Sequence, residues 1–350
     1  SLHDALPICA CSANVNSLCS APQGHEGKVA YLRQQIKELG INFFGVQESR
    51  AQEVCSCVDD VYRLASGCMN HQQGVELWIN LSQPYGYLKG RPQYFEKGDF
   101  QVAYKDARIL MVRIDTKFWN AWIVVAYAPH SGLSWKERER WWHQLSEITH
   151  KRQATTPLIV MVDANASPGA ADGKAVHCPG LHSSSSTPLM RSYVEEHGLI
   201  LPNTTAVHLG DLSTWIDPAG HHEYCIDYVM ISEDLAAACT LSRVVPELDL
   251  GHGSWDHTAT AVDLRWEEGI QKAAPTENNK RGFDPTLIGR ATLETILQDY
   301  KPEAWHVDIE RQVHDLNEAI LTGLRQQCPP AKNRPKKAFK IGRASCRERV

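Results

Sequence analysis

Pro157-Leu158-Ile159-Val160-Met161-Val162-Asp163-Ala164-Asn165-Ala166 is the stretch from which the rest of this 350-residue chain can be read. Its unbroken apolar half reads as a buried strand that runs out into a loop. Side chains two residues apart on an extended chain point the same way, so Asp163 and Asn165 can reach one small target. An Asp can orient or deprotonate a water, and an Asn can donate a hydrogen bond to a phosphate oxygen without adding negative charge. A lone Asp-x-Asn also fits a cap on the following turn, so the decision rests on its company.

That company is five further segments, each offering a polar residue within or at the end of an apolar β-type run. Asn14 lies in Ala13-Asn14-Val15-Asn16-Ser17-Leu18, and Glu48 closes Phe43-Phe44-Gly45-Val46-Gln47-Glu48-Ser49. Tyr127 ends the apolar part of Trp122-Ile123-Val124-Val125-Ala126-Tyr127-Ala128-Pro129. Asp227 follows Cys225-Ile226, and Asp256-His257 lies in Gly253-Ser254-Trp255-Asp256-His257-Thr258-Ala259. Each has an ordinary reading: Glu48 as a surface acid, Tyr127 as a packing residue, His257 as a satisfied histidine. An ordered set in which every segment supplies the chemically useful group is harder to dismiss.

In this order the segments resemble the endonuclease/exonuclease/phosphatase superfamily. Within it they are most similar to the apurinic-type endonuclease domain of non-LTR (LINE-type) retrotransposons. The resemblance is carried by Asn14-Val15-Asn16-Ser17-Leu18, Gln47-Glu48, Tyr127-Ala128-Pro129, Asp163-Ala164-Asn165-Ala166, Thr214-Trp215, Ile226-Asp227-Tyr228 and Asp256-His257, across roughly residues 10–268. Asn16 stands where the apurinic repair enzymes carry Asp, which favours the retrotransposon branch. The chain departs from the pattern at Trp255, where Ser is usual, at Cys225, often basic, and at Val162, commonly Gly.

Phosphodiester hydrolysis needs an aligned water, a divalent cation and donors for the developing negative charge. Glu48 is a hard-oxygen ligand suited to Mg2+, with Mn2+ as a substitute, and Asn14 and Asp256 are accessory ligands or ligand positioners. The resemblance implies that Asp163 handles the attacking water and that Asn165 and Tyr127 contact the scissile phosphate. It further implies that His257 donates to the phosphate while Asp227 holds its imidazole, a pairing that raises a histidine pKa and fixes its tautomer. Between Thr214-Trp215 and Ile226, Pro218 and Gly220 supply turn chemistry for a hairpin loop. The resemblance gives such a hairpin a DNA-groove role, making Thr214, Trp215, His221 and His222 candidate DNA contacts, although His221 and His222 fit solvated loop residues equally. A zinc site from His222 and Cys225 lacks two further ligands at suitable spacing.

A hydrophobic content of 43% and no stretch approaching a membrane span describe a globular chain with a sizeable core. The formal net charge of −5 offers no general attraction to DNA, so phosphate contacts must come from local Lys and Arg. Eleven scattered cysteines read as reduced thiols of a nuclear or cytoplasmic protein. Residues 1–8 and 341–350 look artificial: Leu2-His3-Asp4-Ala5-Leu6-Pro7-Ile8 and Ile341-Gly342-Arg343-Ala344-Ser345-Cys346 can be back-translated as reverse complements of one nucleotide stretch, as sequencing-adapter read-through would give. On that reading the chain is a fragment.

Apolar positions 29, 32, 36 and 39 before Gly40 predict one helix, Ser134-Trp135-Lys136-Glu137 opens a second as a capping box, and Thr187-Pro188 opens a third. Strands are expected at 74–81, 108–114, 122–127, 158–162, 226–231 and 258–264. Many strands with intervening helices argue for two packed sheets covered by helices. This agrees with the α/β, four-layer sandwich of two mostly antiparallel β-sheets that the resemblance implies for residues 9–268. The Trp141-Trp142 pair reads as packing. Residues 269–340 follow as a helical C-terminal connector, with helices expected at 285–300 and 307–324 and a basic, Pro-containing end. It fits a linker to a covalently attached reverse transcriptase, and on the residues alone it fits a solvated tail equally. The expected function is Mg-dependent nicking of target DNA. A stand-alone phosphoesterase (apurinic endonuclease, exonuclease or lipid phosphatase) and a decayed copy are the alternatives.

Overall fold

The computed structural model describes residues 7–19, 24–88, 91–117, 119–153, 155–169, 184–217, 219, 222–251 and 256–265, together with helical positions 295, 297, 298, 316, 319 and 320. The chain divides into two compact units, 1–272 and 273–350, and the six isolated helical positions fall in the second. His221 and Trp255 lie outside the described residues.

The first unit begins β1 (Ile8–Asn14), α1 (Gly24–Glu38), β2 (Phe43–Gln47), β3 (Val54–Val58), β4 (Val61–Ala65), β5 (Glu76–Asn80), β6 (Gly86–Leu88) and β7 (Arg91–Gln93). It continues with β8 (Phe100–Lys105), β9 (Ile109–Asp115), β10 (Asn120–Tyr127), α2 (Trp135–Thr149), β11 (Leu158–Asp163), α3 (Thr187–Glu196) and β12 (Leu199–Ile200). The last strands are β13 (His208–Leu209), β14 (Trp215–Ile216), β15 (Glu223–Tyr224), β16 (Asp227–Ser232), β17 (Cys239–Val245) and β18 (Ala259–Leu264).

Eight strands form one sheet in the order β13-β17-β18-β1-β2-β5-β4-β3, and six form another in the order β12-β16-β11-β10-β9-β8. Most neighbours are antiparallel; β1 with β2, β10 with β11 and β13 with β17 are parallel. Three apolar clusters define four layers. Phe43, Leu77, Val112, Ile123, Met161 and Ile231 lie between the sheets. Trp142, Leu145, Tyr193, Val160 and Tyr228 join α2 and α3 to the outer face of the six-stranded sheet. Leu32, Ile36, Phe44 and Trp78 join α1 to the outer face of the other.

This layering explains the unbroken apolar run of β11. Ile159 and Met161 fill the inter-sheet core, while Val160 and Val162 sit beneath helices, so neither face can be polar. Each such side chain contributes about 1.5–3 kcal/mol by leaving water. The two sheets pack closely at Gly45, where an added Cβ would lie 2.7 Å from the Met161 Cβ. Just beyond, Gln47 Nε2 donates to the Met161 carbonyl at 3.3 Å and to Ser12 Oγ at 3.2 Å, tying the sheets together near one end of the sandwich.

The helices follow their local signals. Ser134 caps α2, its hydroxyl accepting from the Glu137 amide at 3.3 Å while the Glu137 carboxylate accepts from the Ser134 amide at 2.9 Å. Trp141 and Trp142 pack edge-to-face, 5.1 Å apart, and serve the core as expected. Ile8 pairs with Leu264 and is buried, so the sheet starts at the last residue of the segment whose adapter likeness makes it look artificial.

Candidate active site

The candidate side chains gather at one end of the sandwich because of strand direction. Parallel pairing brings the C-terminal ends of β1 and β2, and of β10 and β11, to the same edge. Antiparallel pairing makes β16 and β18 begin there. Asn14, Glu48, Tyr127, Asp163, Asp227 and His257 therefore converge from six strands. Most of them line a cleft of about 670 Å³, with Asp227 fully buried at its base.

Asn14 is the junction between sheets. Its Nδ2 donates to Asp163 Oδ2 at 2.9 Å and to Glu48 Oε1 at 3.1 Å, joining residues 149 positions apart. Tyr127 donates its hydroxyl to the same Glu48 oxygen at 2.7 Å, and Arg50 reaches the other at 2.7 Å. Glu48 has φ +51 and Arg50 φ +50, left-handed values that are uncommon for such residues and cost energy. The twist is held by backbone bonds from Ser17 and Leu18 to Glu48 and Ser49, and it carries the chain off β2 into the cleft. Asn165, also left-handed at φ +44, donates Nδ2 to the Ala128 carbonyl at 2.9 Å, while its amide N–H donates to Asp163 Oδ1 at 3.0 Å.

Beside Asp163, His257 Nδ1 lies 2.9 Å from Oδ2 of Asp227, on the strand paired with β11. The other Asp227 oxygen has no hydrogen-bond partner among the described residues. Burial alone would lower the His257 pKa, but the Asp227 charge and hydrogen bond outweigh it and raise it to about 9. His257 therefore carries both protons at neutral pH. Asp163 moves well above the ordinary carboxylate range, first through burial and then through repulsion by Asp227. Burial also works to raise Glu48, yet hydrogen bonds from Arg50, Asn14 and Tyr127 hold it below its usual value. Glu48 thus stays anionic while Asp163 is poised to accept a proton, a division of labour set by environment alone.

Three of the hairpin residues can be placed. β14 and β15 pair as expected, Trp215 opposite Tyr224. Trp215 donates its indole N–H to Asp256 Oδ1, and so positions that carboxylate. His222 is exposed, and its carbonyl accepts from the Asp217 amide at 2.8 Å. Thr214 is not available to a DNA strand: it is 1% exposed and its hydroxyl accepts from the backbone of Ile226 and Asp227 at 3.0 Å each. Its place is structural, fixing the start of β16 beneath His257.

Three further residues belong to this site. Arg50 bridges Glu48 to Asn16 Oδ1 at 3.1 Å, and Asn16 in turn donates to Asp256 Oδ2 at 3.2 Å. Arg108 sits 4.7 Å from the Tyr127 ring centroid and donates to its carbonyl at 3.1 Å. Arg50 falls two residues after Glu48, the same spacing as Asp163 and Asn165, which is the one sequence signal pointing to it. Nothing local points to Arg108.

Glu48, Asp256 and the Asn14 amide form a hard-oxygen donor set that fits a divalent cation of the Mg2+ or Mn2+ type. Asp163, Asp227 and His257 also offer ligand atoms within 4.8 Å of one another, where a cation would have to displace a proton from His257.

No protein-family model matches the sequence, and no curated protein matches it. Solved structures do. The endonuclease domain of TRAS1, a telomere-specific non-LTR retrotransposon, superposes with a TM-score of 0.52 at 18% identity, covering 75% of this chain and all of that domain. A 3′ phosphatase from Neisseria, NExo, bound to a product DNA hairpin, gives 0.54 at 16% identity over 74% of this chain. The apurinic endonuclease LMAP of Leishmania major gives 0.55 at 15% identity over 75% of this chain and 89% of its own. The chain shares the fold of these three proteins.

Proposed function

We propose that this chain is a metal-dependent phosphodiesterase that nicks one strand of DNA, as the endonuclease part of a non-LTR retrotransposon polyprotein with a linked reverse transcriptase. The observation that carries the reading is the buried Asn14–Asp163 contact standing directly beside the Asp227–His257 pair in one cleft. A proton acceptor and a cationic donor lie within reach of a single phosphodiester.

A divalent cation held at Glu48, with Asn14 and Asp256 as accessory ligands, would supply positive charge to the phosphate and leaving oxygen. Asp163 orients a water and takes its proton, and its upward-shifted pKa suits a base working near neutral pH. Asn14 holds Asp163 Oδ2, which leaves its carboxylate one orientation in which to act. His257 donates through Nε2 to a phosphate oxygen, while Asp227 keeps the ring protonated and fixed. Asn165 donates its second Nδ2 hydrogen to a remaining oxygen, and Tyr127, released from Glu48 when that carboxylate takes up a cation, turns its hydroxyl to another. His222 reaches solvent on the hairpin beside the cleft, where a DNA strand would pass.

Supercoiled plasmid incubated with the protein in Mg2+ tests the proposal. Open-circle product is expected, abolished by EDTA and reduced about 10²–10⁴-fold in Asp163→Ala and His257→Ala. Absence of nicking by the folded protein refutes it. A stand-alone repair-type phosphoesterase is the second reading, favoured by TM-scores for NExo and LMAP at least as high as that for TRAS1. Cleavage restricted to apurinic or 3′-phosphate oligonucleotides would select it.

A further inference from the structure

A second group of ligand-type side chains lies on the helical layer, where α2 and α3 end side by side. His150 is the C-terminal cap of α2 and His197 that of α3, and Glu196 closes the last turn of α3. One ligand atom from each of His150, Glu196 and His197 falls within 4.8 Å of the others. His150 Nε2 is 2.7 Å from Glu196 Oε1, the two imidazole centroids are 4.5 Å apart, and His197 Nε2 is 2.8 Å from Ser146 Oγ.

An ordinary surface ion pair accounts for His150 with Glu196 but not for His197, whose ring is buried against the same cluster. Both helices also point their C-terminal carbonyls, the negative ends of their dipoles, toward this spot, which favours a cation. Arg152 already answers part of that field by donating to the His197 carbonyl at 3.1 Å, on the backbone and not on the ring. A shallow cavity of about 460 Å³ between the helices, lined by Glu147, His150 and Glu196, gives access from solvent.

We propose that His150, Glu196 and His197 form a binding site for a borderline transition-metal ion, Zn2+ in the first instance, that ties the C-terminal end of α2 to that of α3. Two imidazole nitrogens and one carboxylate oxygen make a three-ligand set with a fourth position for water. Tetrahedral bond lengths of about 2.0–2.2 Å bring such ligand atoms closer together than 4.8 Å, a movement that exposed His150 and Glu196 can supply. Mg2+, which avoids imidazole, would not compete here. The site stands on its own residues and is independent of the activity assigned to the cleft.

The test is zinc titration of the chelator-stripped full chain in excess Mg2+, followed by calorimetry and by thermal unfolding. Binding of one zinc with a rise in unfolding temperature is expected, together with loss of affinity by about tenfold or more in His150→Ala and in Glu196→Gln. Both residues are exposed, so these variants fold. His257→Ala keeps the binding if the site is the one named. Co2+ in place of zinc should give a spectrum without a thiolate charge-transfer band. No binding, binding unchanged in His150→Ala and Glu196→Gln, loss in His257→Ala, or a thiolate band would each overturn the proposal.

Discussion

Replacing Asp227 by Asn changes one charge and almost no volume, and its consequences can be followed through the cleft. Asp227 is fully buried, with Oδ2 2.9 Å from His257 Nδ1 and its backbone held by Thr214, so the amide should occupy the same place. What disappears is the charge that keeps His257 near a pKa of 9. Burial, the largest single influence on the ring, is then opposed only by the smaller pulls of Asp163 and Asp256 and takes it to about the ordinary ~6.5 or below. At pH 7.5 the cationic fraction falls from about 97% to about 10% or less, a tenfold loss of the donating form. The alkaline limb of kcat/KM should therefore move down by about 2.5 pH units or more. The acid limb should move little, because Asp163 loses the repulsion of Asp227 and the attraction of His257 together. The assay is the pH dependence of kcat/KM on a labelled duplex, with imidazole 15N shifts of the metal-free protein read in parallel. A uniformly reduced rate with both limbs in place, or a His257 ring that still titrates near 9, would refute the reasoning.

Three other perturbations test the fold that carries the site. Gly45→Ala places a Cβ 2.7 Å from Met161 Cβ and 2.9 Å from its sulfur, so it should cost about 1–3 kcal/mol in urea unfolding; a neutral result would mean the sheets separate freely. Arg63 makes two bonds to the fully buried Glu76 carboxylate, and Arg63→Ala, which strands that charge, should destabilise by about 3–5 kcal/mol, measured by denaturant midpoint. Ser134→Ala removes the capping box of α2 and should cost about 1 kcal/mol by the same measurement, with nicking unchanged because the cap lies outside the cleft.

The elements most legible in the chain were those with a local cause. The β11 run, the Ser134 capping box, the Gly40 stop after α1 and the turn between β14 and β15 all announce themselves within a few residues. The β3–β4 hairpin did not. Its alternation is carried by Cys, Ser, Tyr and Arg, and its turn is Asp59-Asp60, left-handed at φ +48 and +62 without the glycine that usually marks such a turn. The β14–β15 pairing and Thr214 divided in the same way. The turn was readable from Pro218 and Gly220, but that Thr214 faces inward depends on how β14 meets β16.

By itself the sequence determined which residue types stand at strand ends and in what order, because a period of two and a turn signal are properties of neighbours along the chain. Only the tertiary structure decided that Asn14 bonds both Glu48 and Asp163, that Arg50 pairs with Glu48, and that Arg108 lies over the Tyr127 ring. Arg50 and Glu48 are neighbours in one loop, whereas the other contacts join separate segments, and Asn14–Asp163 crosses from one sheet to the other. That crossing depends on the distance between the two sheets, to which close packing at Gly45 and Met161 contributes, a quantity no local pattern encodes.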